Sequence, residues 1–365
     1  MREQDTIRFF DMFSGIGGFR AGLERAGGFT CIGHSEIDKH AEKAYRAVHN
    51  VKENEVYYED ARTIDVRKMP DFDLLCAGFP CQSFSIAGKR RGFDDARGTL
   101  FFEIARLARE KRPPYLLLEN VPGLLSQNKG RTFTTILDTL SQLGYHVEWQ
   151  VLNSKDFGVP QSRKRVYIVG YLDPGCAGKI LPIRSTSPAA LKLLIDGRQD
   201  SRVYSSTGVS RTLLAGSGGP GGRTGFYAVG DFNRTTGTVL MIKEATKSGK
   251  KRAYPGDSVD LSFSGLNTRR GRVGRGIAHT LSTSSTQGVV TSSCRIRRLT
   301  PRECFRLQGF SEEQIDKLLS VGSDTQAYKQ AGNAVTVNVV HALGLRLGSV
   351  HRAIRGTVTA EKEGV

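Results

Sequence analysis

Residues 7–18 read IRFFDMFSGIGG, an apolar run typical of a β-strand that passes into a glycine-rich turn. The next residues, 19–26, read FRAGLERA and have the pattern of an amphipathic helix. Glycine allows the backbone to turn sharply and to approach a ligand closely, and the start of a helix offers free N–H groups. The spacing G-x-G-G differs from the G-x-G-x-x-G of dinucleotide sites and therefore disfavours NAD. A purely structural turn is the alternative interpretation.

The alternation of strand and helix continues as far as residue 178. Strands are predicted over residues 7–13, 29–37, 73–77, 115–119, 145–152 and 165–171, and helices over 19–26, 39–49, 100–109 and 132–143. This order predicts an α/β fold with a mostly parallel sheet that is covered on both faces. Ligands of such folds bind at the carboxyl ends of the strands. A capped helix is predicted from Thr300, and a final helix over about 335–347.

Length and composition fit a globular protein with one large domain, or a large domain and a smaller one. The chain has 365 residues, of which 38% are hydrophobic and 24% charged. No apolar run approaches eighteen residues and no secretion signal precedes the first strand, so we expect a cytoplasmic protein. The six cysteines lie singly, without a CxxC pair, which argues against a zinc site and a disulfide framework.

Positive charge is concentrated in one part of the chain. The net charge is +17, and residues 179–310 contain 22 Lys and Arg but only 7 Asp and Glu. Between about 175 and 294 the sequence is rich in Gly, Ser, Thr and Arg, with short β-like pieces. We interpret this segment as a module that binds a polyanion, most simply nucleic acid. A solvated basic surface is the alternative.

Two acidic residues and one cysteine follow predicted strands. Glu36 stands where a carboxylate can bind the hydroxyl groups of a ribose, and Asp60 follows at the next strand end. Each is equally compatible with a helix cap or a surface charge. Cys81, in the polar loop GFPCQSFS of residues 78–85, is a candidate nucleophile in its thiolate form, although a lone cysteine is more often a small buried hydrophobe. Cys76 lies inside the predicted strand, so we interpret it as a small buried hydrophobe.

Three more charged residues complete the candidate site. Glu119 ends an apolar strand, where desolvation is expected to raise its pKa and suit it to proton donation. Arg163 and Arg165 lie in the sequence QSRKR before the last strand and alternate along the chain. Their guanidinium groups are therefore expected to converge on a common ligand.

The order of these motifs resembles that of the DNA (cytosine-5)-methyltransferases, in particular the bacterial and phage modification enzymes. The motifs are FSGIGG, GFPCQSFS, ENV, QSRKR and a late GNAV at 332–335, and residues 298–310 match the family motif that organises the small domain. The resemblance covers residues 7–171 and 295–345. It implies a Rossmann-like S-adenosylmethionine-dependent methyltransferase fold with a smaller, mostly β target recognition domain. The catalytic domain would comprise 1–180 and 326–365, and the recognition domain 181–325.

The resemblance also implies a mechanism and a set of site residues. The Cys81 thiolate would attack C6 of a flipped-out cytosine, Glu119 would hold or protonate N3, Arg165 would bind the O2 side, and Arg163 would steady the covalent adduct. S-adenosylmethionine would be the cofactor, and no metal is expected. The cofactor-binding residues would be Phe13, Ser14, Gly15, Ile16, Gly17, Gly18, Glu36, Ile37, Asp60, Ala61, Gly78, Pro80, Asn333, Ala334 and Val335. The DNA-binding residues would be Gln82, Ser85, Lys89, Arg90, Arg97, Gln199, Arg211, Thr212, Leu213, Arg269, Arg270, Arg272, Arg275, Thr280 and Leu281.

Some alternatives stay open at this point. Either Thr212-Leu213 or Thr280-Leu281 would supply the Thr-Leu pair of the recognition domain. The expected partner is double-stranded DNA, with the enzyme acting as a monomer in a bacterial or phage-infected cell, near the nucleoid, in restriction-modification beside an endonuclease or in phage self-protection. The alternative functions are methylation of tRNA, by the RNA branch of the family, and DNA binding without catalysis.

Overall fold

The computed structural model describes residues 6–79, 100–159, 161–184 and 300–363. It also describes nine short stretches between them, at 193–195, 203–205, 210–211, 226–228, 240–243, 249–254, 257–260, 273–274 and 287–289. Within these residues, no helix is both long enough and apolar enough to cross a membrane. The chain divides into two compact units, which are described in turn.

The first unit comprises Met1–Asn153, Lys164–Ser185 and Val335–Val365 and is built on a seven-stranded sheet. Its strands are β1 Ile7–Met12, β2 Phe29–Ser35, β3 Val56–Tyr58, β4 Leu74–Gly78, β5 Tyr115–Asn120, β6 His146–Asn153 and β8 Lys164–Tyr171. They are ordered β3-β2-β1-β4-β5-β8-β6. The five strands from β3 to β5 are parallel, and β8 runs antiparallel to both of its neighbours.

Helices cover this sheet. The helices are α1 Gly18–Ala26, α2 Lys39–His49, α3 Leu100–Lys111, α4 Arg131–Gln142 and α8 Val337–Glu363. Phe10 of β1 belongs to the apolar cluster formed with α3 and α4. Side chains alternate along a strand, so the neighbouring Asp11 faces the other way, where its charge interacts with Arg20 of α1. Helices α1 and α8 pack closely, because a methyl group on Gly22 would overlap the side chain of Val340.

The predicted α/β class is confirmed, with differences in detail. Strand β3 was not predicted, because three residues between acidic neighbours carry almost no periodic signal. The final helix was predicted to end near residue 347 but continues to Glu363. Apolar residues at helical spacing, among them Val350 and Ile354, extend the pattern past the glycine at 348.

The second unit comprises Ser154–Arg163 and Thr186–Ala334. Its described strands are short: β7 Gln161–Ser162, β9 Leu193–Ile195, β10 Val203–Ser205, β11 Ser210–Arg211, β12 Phe226–Ala228, β13 Leu240–Lys243, β14 Lys250–Ala253, β15 Ser258–Asp260, β16 Val273–Gly274 and β17 Gln287–Val289. Its helices are α5 Pro301–Leu307, α6 Glu312–Ser320 and α7 Asp324–Asn333. The cap predicted at Thr300 is confirmed, because Thr300 and Glu303 form a reciprocal capping box.

Candidate functional site

The glycine-rich turn after β1 has a strained, left-handed backbone. Gly15 and Gly17 have φ angles of 56° and 80°, and Phe13 has φ 55° although it is not glycine. The backbone N–H of Ser14 donates to the carbonyl oxygen of Ser35 on the neighbouring strand. A Cβ atom on Gly18 would overlap the carbonyl oxygen of Val335, so only glycine fits there. The turn and Val335, the last residue of the GNAV motif, are therefore in direct contact.

Glu36 lies at the carboxyl end of β2 and supports this turn. Its Oε2 accepts from the N–H of Gly15 and its Oε1 from the N–H of Asp38, both at 2.8 Å. Burial raises the pKa of the carboxyl, and hydrogen bonds from the backbone of Asp38, Gly15 and Ile37 oppose that rise. A carboxylate has about four lone-pair sites, so acceptor capacity is left for a ligand. The adjacent Ile37 is 60% exposed, an apolar side chain open to solvent beside a buried carboxylate.

Asp60 lies two residues after the end of β3, and its carboxylate already has a partner. It caps the short 3₁₀ turn Ala61–Thr63 and forms an ion pair with Arg62 at 2.6 Å. The Arg62 hydrogen bond lowers the pKa of Asp60. The side chain is partly exposed and accepts from Arg62 through both oxygens. Asp60 therefore acts as a helix cap, which was the alternative interpretation of this acid, and any contact with a ligand would be additional.

Glu119, at the end of β5, forms a buried ion pair with Arg165 of β8. Glu119 Oε1 lies 2.9 Å from Arg165 Nε, and each side chain is only 11% exposed. A methyl group on Gly78, the last residue of β4, would come within 3.5 Å of Glu119 Oε2 and 3.6 Å of Val335. The structure thus brings together an acid, a guanidinium group and the strand that leads to residue 81. Sequence reasoning considered the burial of Glu119 but not the opposite charge beside it.

Asn120 is a functional candidate that sequence reasoning did not single out. Its side-chain N–H donates to the carbonyl oxygen of Phe79 at 2.8 Å, and both residues are buried. Its amide oxygen accepts from the N–H of Val121. Asn120 therefore fixes the backbone at Phe79, two residues before Cys81 in the sequence. A buried amide at the end of an apolar strand was the available signal, because buried polar groups are nearly always hydrogen-bonded.

Arg163 belongs to the second unit and is 2% exposed. It donates to the carbonyl oxygen of Ala334 at 3.1 Å, whereas Arg165 pairs with Glu119. The predicted convergence of the two guanidinium groups on one ligand stays a prediction. Nearby in sequence, the buried Gln161 donates to the carbonyl oxygen of Leu307. Within this unit, Gln161 is thus hydrogen-bonded to the end of helix α5, and Arg163 to the residue before Val335.

Several predicted site residues have been placed, and others lie outside the described residues. Phe13 to Gly18, Glu36, Ile37, Asp60, Ala61, Gly78 and Val335 belong to the first unit, and Asn333 and Ala334 to the second. The backbone of Arg211 pairs with Ser162 in a two-residue strand contact. The candidates that lie outside the described residues are Pro80, Cys81, Gln82, Ser85, Lys89, Arg90, Arg97, Gln199, Thr212, Leu213, Arg269, Arg270, Arg272, Arg275, Thr280 and Leu281.

Comparisons with known proteins agree with this arrangement. The fold is similar to that of the Dnmt2 methyltransferase of S. pombe, with a TM-score of 0.60, 17% identity, and coverage of 95% of this chain and 99% of that one. The chain is 33% identical to the orphan methyltransferase M.SPRI of Bacillus phage SPR, over 92% of this chain and 96% of the relative. It is 37% identical to the type II methyltransferase M.HpaII of Haemophilus parainfluenzae, over 95% and 90%. The family model for C-5 cytosine-specific DNA methylases matches residues 7–349, and the chain belongs to that family of DNA methyltransferases.

Proposed function

We propose that this enzyme transfers a methyl group from S-adenosylmethionine to C5 of a flipped-out cytosine in a specific double-stranded DNA sequence. The observation that carries the proposal is the buried pair of Glu119 and Arg165 beside Gly78, which stands three residues before Cys81 in the sequence. An acid and a guanidinium group suit the N3 and O2 edge of a cytosine. A base must leave the duplex to reach such a buried pair.

The first unit has residues that fit the cofactor. Glu36 offers acceptor lone pairs for two ribose hydroxyls, and the exposed Ile37 offers an apolar surface for the face of an adenine ring. The left-handed backbone at Gly15 and Gly17 leaves room for a ligand at the start of α1. Bound S-adenosylmethionine would supply an electrophilic methyl group. Asp60 and the segment Asn333 to Val335 complete the proposed contacts.

Cytosine needs activation before C5 can accept a methyl group. The Cys81 thiolate adds to C6, so that the electron pair of the C5–C6 double bond becomes available at C5. Glu119 donates or shares a proton at N3 and so takes up the charge that develops in the ring. C5 would then bond the methyl group, whose bond to the cofactor sulfur would break with the electron pair left on that sulfur. C5 loses its proton to a base, the Cys81 sulfur departs to restore the double bond, and N3 returns its proton to Glu119. Arg165 holds Glu119 in place and binds the O2 side, while Arg163 would steady the adduct.

The second unit would bind the DNA. Its hairpin of β13 and β14 aligns Leu240 with Ala253, which packs on Val273. Lys250 and Arg252 lie on the opposite side of β14 and are exposed. Exposed basic side chains on one face of a strand fit the phosphates of a DNA backbone.

The biological setting is a further part of the proposal. The relatives include proteins named type II methyltransferases and orphan phage methyltransferases. Methylation by this enzyme would protect DNA, either beside a restriction endonuclease or in phage self-protection. No observation within the described residues favours RNA as the substrate or a protein without catalysis.

The test is methylation of DNA by the wild type and by Cys81→Ser. Bisulfite sequencing of a plasmid expressed with the wild-type gene should reveal 5-methylcytosine at one recurring sequence, and Cys81→Ser should leave none. The wild type should also form a covalent adduct with DNA that contains 5-fluorocytosine, because fluorine cannot leave C5 as a proton does. Methylation of tRNA but not of duplex DNA would contradict the proposed substrate. A comparable rate for Cys81→Ser would contradict the nucleophile.

A further inference from the structure

A buried cluster of charged residues lies behind the glycine turn. Arg20 of α1 forms a two-pronged ion pair with Glu55, through contacts of 2.5 and 3.0 Å, and its Nε donates to Glu24 at 2.8 Å. The side chains of Arg20 and Glu55 are about 95% buried. Arg20 also donates to the backbone carbonyl oxygen of His49 at 3.3 Å. The end of α2 is thereby anchored to α1.

His49 reaches from this anchored end to the turn itself. Its Nε2 lies 3.1 Å from the carbonyl oxygen of Ile16, in the middle of FSGIGG. A carbonyl oxygen only accepts, so Nε2 must carry the proton and donate. The imidazole also packs against Gly17, because a methyl group on Gly17 would overlap Nε2 of His49. The ring therefore fixes both the direction of the Ile16 carbonyl and the position of the next residue.

We propose that His49 is a positioning residue for the cofactor site, which holds the glycine turn in its binding conformation from the side that faces away from the ligand. This inference rests on the proposed binding of S-adenosylmethionine at the turn. Glu36 holds Gly15 from β2 while His49 holds Ile16 from α2, so the turn is fixed by two elements before any ligand binds. A site that is ordered in advance binds its ligand more tightly, since less freedom is lost on binding.

The surroundings keep the imidazole neutral, as this role requires. Burial lowers the pKa of His49 to about 3, and the positive charge of Arg20 contributes in the same direction. The nearest carboxylate oxygen, on Glu24, is 3.9 Å from Nδ1, which is beyond hydrogen-bond distance. Arg20 therefore has two effects on His49. It anchors the backbone and disfavours a second proton on the ring.

The test compares two substitutions that differ in reach. In His49→Gln the amide nitrogen can occupy the place of Nε2 and donate to Ile16, whereas in His49→Asn the shorter side chain ends near the place of Nδ1. Calorimetry with S-adenosylmethionine should give a Kd for His49→Asn that is roughly tenfold above that of the wild type, as expected for one lost hydrogen bond. The Kd of His49→Gln should stay within about threefold. At saturating cofactor, kcat should change little in either variant.

A matched control separates positioning from a general loss of stability. His351 contacts the hydroxyl group of Tyr115 at 3.2 Å, at the amino end of β5 and therefore at the other edge of the sheet. His351→Phe should lower the thermal midpoint and leave the Kd unchanged. A second variant, Gly17→Ala, should weaken binding less in the His49→Asn background than in the wild type, because the imidazole, the nearest group that the methyl would meet, is gone. The overlap with Tyr45 and the left-handed backbone are the same in both backgrounds.

Three results would overturn the inference: an unchanged Kd in His49→Asn, equal rises in His49→Asn and His49→Gln, or an equal rise in His351→Phe. Equal effects of Gly17→Ala in both backgrounds would also count against it. Failure of the wild type to bind S-adenosylmethionine at all would instead overturn the proposed function. The two failures are therefore distinguishable.

Discussion

Two buried histidines should reduce the stability of the first unit between pH 7 and pH 5, because neither can take up a proton in the folded state without cost. Burial lowers the pKa of His34 and of His49 to about 3, and Arg20 contributes to both shifts. Arg46 also lowers the pKa of His34, while Glu42 lies 3.7 Å from its Nε2. The unfolded chain protonates both residues below pH 6.5 and the folded chain does not. The contribution of the two histidines to the free energy of unfolding therefore decreases as pH falls from about 6.5 to 3, and is level above pH 7.

The size of this effect follows from the pKa difference. One histidine with a pKa near 6.5 unfolded and 3 folded costs about 2 kcal/mol between pH 7 and pH 5, so the two together cost about 4 kcal/mol. A typical domain has only about 5–15 kcal/mol in total. Urea unfolding should be measured at both pH values for the wild type and for His34→Phe/His49→Gln, which removes both titrating rings. Asp11 and Glu36, whose raised pKa values act in the opposite direction, are present in both proteins and cancel.

The double variant should lose about 4 kcal/mol less than the wild type between the two pH values. His34→Phe keeps an aromatic ring to stack on Tyr45, whose centroid is 4.0 Å from that of His34. The double variant should therefore fold at pH 7, although with altered stability. An equal loss in both proteins would show that these histidines do not resist protonation, and that other groups cause the acid sensitivity.

Three further predictions concern the proposed site. Glu36→Ala should raise the Kd for S-adenosylmethionine roughly ten- to a hundredfold, because about 1.5–3 kcal/mol of charge-assisted hydrogen bonding is lost. An unchanged Kd by calorimetry would show that Glu36 supports the glycine turn but does not bind the cofactor. Asn120→Ala leaves the buried Phe79 carbonyl oxygen without its donor, so it should lower the free energy of unfolding by about 1–3 kcal/mol and slow adduct formation with 5-fluorocytosine DNA. A normal rate of adduct formation would contradict this prediction. Arg269→Ala/Arg270→Ala should weaken binding to specific and random DNA alike, and each lost phosphate contact should reduce the slope of log K against log salt concentration by about 0.9. Exchange of residues 181–294 for those of a relative should instead change the methylated sequence. A chimera that keeps its original site would place recognition elsewhere.

Periodicity and strand ends were enough to predict which residues lie at the carboxyl edge of the sheet. Helix α2 was predicted over the residues at which it forms, Lys39–His49. Parallel pairing then aligns the ends of neighbouring strands, so that Met12 of β1 lies opposite Ala77 of β4, and Gly78 opposite Glu119. Residues that follow these strands must therefore gather at one edge, whatever their distance in sequence. Glu36 and Glu119 were identified for this reason.

The partners of buried charges were not predictable in the same way. Arg20 lies in α1 and Glu55 lies 35 residues later, in a segment without a periodic pattern. Periodicity tells which face of a helix is buried, but not which side chain from another element completes a charge there. Sequence reasoning therefore identified the glycine turn and missed the Arg20 and His49 cluster that supports it. Glu119 and Arg165 were both identified, but their ion pair depends on the antiparallel register of β5 and β8, which the sequence did not reveal.

Hydrogen bonds to three neighbouring residues explain how a strained turn persists in the folded protein. Phe13 occupies a left-handed conformation that costs a non-glycine residue on the order of 1 kcal/mol, and such strain persists only where the surroundings hold it. Here Ser14, Gly15 and Ile16 each form a hydrogen bond to a different neighbour: the Ser35 backbone, the Glu36 carboxylate and the His49 ring. Three bonds of about 1 kcal/mol each exceed the strain. The turn therefore has its shape from the protein alone, and a ligand that fits it need not supply the energy to form it.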